Sequence, residues 1–140
     1  MNIADKKILP LVKAALKEDI GRGDITSNLI IPPKRRIKAV IVAKEKGVAC
    51  GLDVAGLVFK AVDKGIRFRA TTGEGREIKA EAVIARLEGK ASSILKAERA
   101  ALNFLGRLCG IATLTSRYIQ RVKPYQVRIM DTRKTTPGLI

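Results

Sequence analysis

One stretch constrains the fold more than any other: from Ala91 to about Val122 the apolar pattern is helical and stays so. Lys123-Pro124 ends it, and Gly106 and Gly110 weaken its middle, so a kink or two successive helices is expected. On a helix from Ser92 to Gly110, Ile94, Ala97, Ala101, Phe104, Leu105 and Leu108 fall on one side and form the core stripe. Arg99 points nearly the opposite way. Its own column holds Ser92, Asn103, Gly106 and Gly110, flanked by Leu95 and Leu102. Two readings of that strip stand. Arg99 is an ordinary exposed arginine beside Glu98, or small residues and flanking leucines let another surface come close with Arg99 projecting into it.

The residues ahead of this helix supply short elements. Asp5 is placed to cap a first helix through about Asp19, with Ile8, Leu11, Val12, Ala15 and Leu16 on one face. Gly21-Arg22-Gly23-Asp24 ends it, and an irregular segment leads to Pro32-Pro33. Arg36 to Lys44 reads as a strand. Gly47 to Gly51 turns into a helix of about ten residues, on which Val54, Leu57, Val58, Ala61 and Val62 recur at helical spacing. Ile66–Arg69 and Ala82–Leu87 read as short strands around a turn at Gly73-Glu74-Gly75. The order is α+β: an α/β sandwich domain over residues 1–122, long helical segment included, then the opening of an α/β unit over 123–140. That opening is the apolar run Val127-Arg128-Ile129-Met130, read as a strand.

Asp131-Thr132-Arg133-Lys134-Thr135-Thr136-Pro137-Gly138-Leu139 follows directly. Arg supplies a planar fork of donors and Lys a mobile point charge, while threonine hydroxyls and loop amides can complete an anion's shell. Ligands collect where strands of α/β sheets and barrels give way to loops. A solvated loop with two surface cations is the plainer reading, although Asp131 and Pro137-Gly138 make a defined turn.

Charge agrees with an anionic partner. The formal net charge is +15, from 28 Lys and Arg against 13 Asp and Glu. The cations are spread over the whole length and aromatics make up only 4% of residues, so a nucleic-acid partner is not expected. Histidine is absent, and Cys50 and Cys109 have no metal-ligand spacing. A zinc site or a histidine-assisted nucleophile is thereby excluded within this segment. The two thiols read as small core residues in a reducing cytoplasm. The N-terminus has no apolar core of a signal peptide, and no apolar run approaches a membrane span.

Three stretches occur together in a telling order. They are Lys17-Glu18-Asp19-Ile20-Gly21-Arg22-Gly23-Asp24-Ile25-Thr26, then Glu98-Arg99-Ala100-Ala101-Leu102-Asn103-Phe104-Leu105 with Gly110-Ile111-Ala112-Thr113, and finally Asp131 to Leu139. Together they resemble quinolinate phosphoribosyltransferase (nicotinate-nucleotide pyrophosphorylase, carboxylating) over the whole chain. The resemblance implies an N-terminal α/β sandwich domain followed by an incomplete αβ barrel, of which only the first strand is present here, and a homodimer. It implies joining of quinolinate to phosphoribosyl pyrophosphate with Mg²⁺, giving nicotinate mononucleotide, pyrophosphate and CO₂. By the same resemblance Arg99 enters the partner subunit's site and binds quinolinate, while Thr132, Arg133 and Lys134 line that pocket from the barrel. The position after Leu139, an arginine in the family, is Ile140. Ligands for Mg²⁺ and phosphoribosyl pyrophosphate are expected in barrel residues beyond this chain, so the chain is expected not to catalyse alone. Without neighbouring barrel strands, Val127–Met130 is expected to stay unpaired or to pair with another chain.

Two alternatives are open on the sequence. A paralogous phosphoribosyltransferase using another aromatic carboxylate would share every feature above. A biotinyl- or lipoyl-like carrier would place Lys64 in the turn Val62-Asp63-Lys64-Gly65, without the methionines that flank a biotinyl lysine.

Overall fold

A computed structural model describes residues 3–21, 31–132 and 134. The order is α1 (Ile3–Ile20), β1 (Arg36–Val42), β2 (Gly47–Val48), α2 (Leu52–Val62), β3 (Arg67–Ala70), β4 (Glu77–Ile78), β5 (Val83–Lys90) and α3 (Ala91–Val122). The chain is a mixed α/β structure, as the order of patterns required. α1 begins ahead of Asp5, so that residue lies inside the first turn rather than capping it.

β1, β5 and β3 form one antiparallel sheet in the order β1-β5-β3, and β2 pairs with β4 in a second. Strand alternation divides the first sheet cleanly. Ile37, Ala39 and Ile41 of β1 stand opposite Gly89, Leu87 and Ala85 of β5, and all face the helices. Phe68 of β3 continues that face opposite Leu87. Its ring lies 5.8 Å from that of Phe59 on α2 at an interplanar angle of 23°. Gly56 eases the approach of the two elements, since a Cβ there would lie 3.1 Å from the Phe68 ring and push it back by a few tenths of an ångström.

α3 closes the core. Ala91, Ile94, Ala97, Ala100, Ala101 and Leu105 are buried along it, against α2 and α1. Phe104 is half-buried and packs against that core, and Leu108, also half-buried, reaches Gly51. The helix is one continuous element across its glycines rather than two successive helices. Gly106 and Gly110 face open space, where the backbone ladder needs no side chain. The rest of the helix is held by packing, which outweighs a propensity loss of about 1 kcal/mol per glycine. Further along, Thr113 accepts the Val48 N–H at 2.9 Å and ties the helix to β2. The Cys109 thiol does the same one turn earlier, accepting the Cys50 N–H at 3.3 Å and donating to the Cys50 carbonyl at 3.2 Å. The Cys109 thiol and the Cys50 main chain, 59 residues apart, thus form a polar link beside the core.

Val127–Met130 makes no strand pairing among the described residues and is exposed. A strand needs a neighbour for its amides and carbonyls, and none is present. No helix among the described residues is long and apolar enough to cross a membrane.

Gly51 adopts φ 90° and an added Cβ would lie 2.5 Å from Leu108 Cδ1 and 3.2 Å from its Cβ. Gly75 has φ 74° but open space around it. Gly75→Ala should cost about 1–2 kcal/mol, the left-handed penalty alone. Gly51→Ala should cost clearly more, because α3 must also shift; the urea midpoints of the two variants test this.

Asp63 ends α2 and reaches forward to α3. Its carboxylate accepts the Ser93 hydroxyl at 2.7 Å and the Gly65 N–H at 2.8 Å. These bonds, that of Ser93 first, hold its pKa below the usual 3.8. The folded state therefore favours the carboxylate, and the resulting stability is complete above the unfolded pKa. It is lost as pH falls through the lower folded value. Ser93→Ala should shrink the stability lost on acidification below pH ~4, measured as the difference in unfolding free energy between neutral and acidic buffer.

Candidate functional site

Arg99 emerges on the solvent side of α3, as its position on the helical wheel required. Its side chain is 75% exposed. Its partner is not Glu98 but Asp19, from the last turn of α1, with Nη1 to Oδ1 at 2.8 Å. Asp19 is the more enclosed of the pair, at 20% exposure. The local sequence explains the meeting. α1 buries Val12 and Leu16 against the core, which lays its C-terminal end along the start of α3. Asp19, one turn beyond Leu16 on the same side, then stands beside Arg99. A cleft of about 480 Å³ opens there, with Glu18, Asp19, Arg99, Asn103 and Arg107 on its walls.

The rest of the strip, from Leu95 to Gly110, is exposed as well. Leu95 and Leu102 are 42% and 40% exposed, and Gly106 and Gly110 leave the surface without side chains. Toward the C-terminal end of α3, Ile111, Leu114 and Tyr118 recur at helical spacing, each more than half exposed. This is a run of apolar surface that no other described residue covers.

The terminal loop is separate. Thr132 and Lys134 are exposed, and the Lys134 N–H donates to Thr132 Oγ1 at 3.1 Å, a tight local turn. Arg133 and Thr135–Ile140 lie outside the described residues. Neither Thr132 nor Lys134 borders the Arg99 cleft. Within one chain the structure therefore does not bring Arg99 together with Thr132 or Lys134.

Sequence reasoning missed Asp19 as a site residue. It sits inside the quoted stretch Lys17–Thr26, but nothing in the pattern links it to an arginine 80 positions away. In the turn Val62–Gly65, Asp63 is engaged as described above and Lys64 is exposed. Among the described residues no group of three or more His, Cys, Asp or Glu side chains could hold a metal ion.

Comparison with known proteins decides the family. The model of the quinolinate phosphoribosyl transferase N-terminal domain matches residues 24–109, and that of its C-terminal domain matches 111–140. The chain belongs to the quinolinate phosphoribosyl transferase family. A probable nicotinate-nucleotide pyrophosphorylase (carboxylating) of Synechocystis is 44% identical over 130 residues, covering 93% of this chain and 44% of that protein. Its counterpart in Methanocaldococcus jannaschii is 43% identical over 133 residues, 94% of this chain and 46% of the relative. The solved nicotinate-nucleotide pyrophosphorylase of Francisella tularensis superposes with a TM-score of 0.91 at 35% identity, over 98% of this chain and 48% of that one. The chain thus spans about half the length of the quinolinate phosphoribosyl transferase relatives it matches.

The exposed Arg99–Asp19 pair contributes little to folding, since such pairs are worth about 0–1 kcal/mol. Arg99→Ala should change the unfolding free energy by about 0.5 kcal/mol or less. A loss above about 2 kcal/mol in urea unfolding would make Arg99 a structural residue.

Proposed function

We propose that this chain supplies the N-terminal half of a quinolinate phosphoribosyltransferase. The whole enzyme would join quinolinate to phosphoribosyl pyrophosphate, releasing pyrophosphate and CO₂ and giving nicotinate mononucleotide for NAD biosynthesis in the cytoplasm. The observation that carries the reading is Arg99: a guanidinium on the side of α3 opposite the core, set in a strip of glycines and exposed leucines. In this reading residues 1–122 form the sandwich domain and 123–140 open the barrel. Two subunits associate, and Arg99 of one meets the Thr132-Arg133-Lys134 loop of the other.

The chemistry suits these residues. Quinolinate carries two carboxylates, and cations arriving from two directions would fix its orientation and neutralise its charge. Its ring nitrogen attacks the ribosyl carbon as pyrophosphate leaves. Loss of CO₂ from the 2-position leaves electron density beside the now cationic ring nitrogen. Fixed cations around the carboxylates serve binding and charge stabilisation, and no proton donor or acceptor is needed from them. Mg²⁺, expected with phosphoribosyl pyrophosphate, finds no group of carboxylates among the described residues, and no step is assigned to it.

A chimera tests the reading. Residues 1–139 of this chain, joined to the remaining C-terminal part of the Synechocystis relative, should form nicotinate mononucleotide. Arg99→Ala in that chimera should abolish activity while leaving its thermal unfolding nearly unchanged. Mixing Arg99→Ala with Arg133→Ala chimeras should then restore activity to about a quarter of the parent, because half the dimers are mixed and each has one intact site. No recovery despite proven subunit exchange would place Arg99 in its own subunit's site or outside the site.

A further inference from the structure

The outer face of the three-stranded sheet gathers cations that the sequence scatters. Alternation sends Arg36, Lys38 and Val40 of β1 to one side, with Arg86, Glu88 and Lys90 of β5 and Arg67 and Arg69 of β3, away from the helices. Register sets them in rows, Val40–Arg86–Arg69 and Lys38–Glu88–Arg67. Arg86 thus stands directly across from Arg69, a like-charge pairing that destabilises a sheet. Among the described residues, Lys38, Arg67, Arg69 and Arg86 have no ion-pair partner. The one carboxylate of the face, Glu88, lies 3.8 Å from Arg36. The four unpaired cations border a groove of about 540 Å³.

Charge and shape select the occupant. The same face of a second copy would set these cations against their own copies, an unfavourable contact. The cations repeat at ~5 Å across the strands and ~7 Å along one, a flat lattice of donors for anionic groups in a row. Three of the four are guanidinium forks, which match phosphate oxygens two at a time. Among the described residues no aromatic side chain is on this face, and Phe68 lies on the core side. Unstacked bases therefore have no platform here, which favours a duplex offering only its backbone. We propose that this sheet face is a sequence-independent binding surface for the phosphate backbone of a double-stranded nucleic acid. The expectation against a nucleic-acid partner rested on dispersed cations and scarce aromatics; strand register removes the first premise, and contacts to a duplex backbone do not need the second.

The test is the salt dependence of binding to a labelled DNA duplex of mixed sequence, followed by fluorescence anisotropy on the 140-residue chain. Four phosphate contacts predict that affinity falls about 150-fold between about 50 and about 200 mM salt. Arg69→Ala/Arg86→Ala should cut that to about 12-fold, and Arg86→Gln alone, which keeps the apolar stem, should lower the logarithmic slope by about 0.9. The control is Lys13→Ala/Lys60→Ala, an equal charge change at exposed positions of α1 and α2. If the control loses as much as the sheet variant, binding follows net charge and the proposal fails. It fails equally if the duplex does not bind while polyglutamate does, in an Arg69- and Arg86-dependent way, for the face then fits an acidic protein surface.

Discussion

Everything in this fold leans on the buried stripe of α3. Four of its six buried residues are alanines, at 91, 97, 100 and 101, with Ile94 and Leu105 between and after them. Small side chains let α2 and α1 approach closely, and dispersion over many short contacts does what a few large residues would do elsewhere. The same closeness demands glycine on the facing elements. Gly51 and Gly47 leave room for Leu108 and Thr113, so the β2–α2 corner seats against the helix only because those positions lack a Cβ. The helix is thus both the floor of the core and the ruler that places its neighbours.

A helix with so firm a buried face has an equally determined outer face. Once Ala97, Ala101 and Leu105 point inward, 100° per residue leaves Arg99 no choice but solvent. The packing of α1 supplies the second coordinate, since burying Val12 and Leu16 brings Asp19 beside that arginine. The site geometry is a consequence of the core, not an addition to it.

The core was legible from periodicity because burial follows local repeats of 3.6 and 2. Ile94, Ala97, Ala101 and Leu105 were readable for that reason, as were β1, α2 and β5. What depends on contacts far apart in sequence was not. The two-residue strands β2 and β4 have no period of their own and exist only through each other. The Cys109–Cys50 link and the Asp19–Arg99 pair join residues 59 and 80 positions apart. The continuity of α3 past Gly106 and Gly110 was likewise invisible, because it depends on packing elsewhere along the helix. The loop cation Arg133 was named from sequence, but its geometry lies outside the described residues. The cationic sheet face escaped for a related reason: alternating charges look dispersed until strands from three segments are placed in register.

The Arg99–Asp19 pair also bears on how the proposed site would be used. An arginine held in water by a partly enclosed carboxylate keeps its charge near the strip without being locked there, because the exposed pair is worth only about 0–1 kcal/mol. A substrate carboxylate stripped of water between two surfaces would depend on that guanidinium far more, because removing one member of such a pair costs on the order of 2–5 kcal/mol, much of it the penalty of an unpaired buried charge. In the proposed enzyme, releasing Asp19 would therefore cost little beside leaving that carboxylate unpaired once the strip is covered. An ion pair that looks like surface decoration is, in this arrangement, a resting position that costs little to leave.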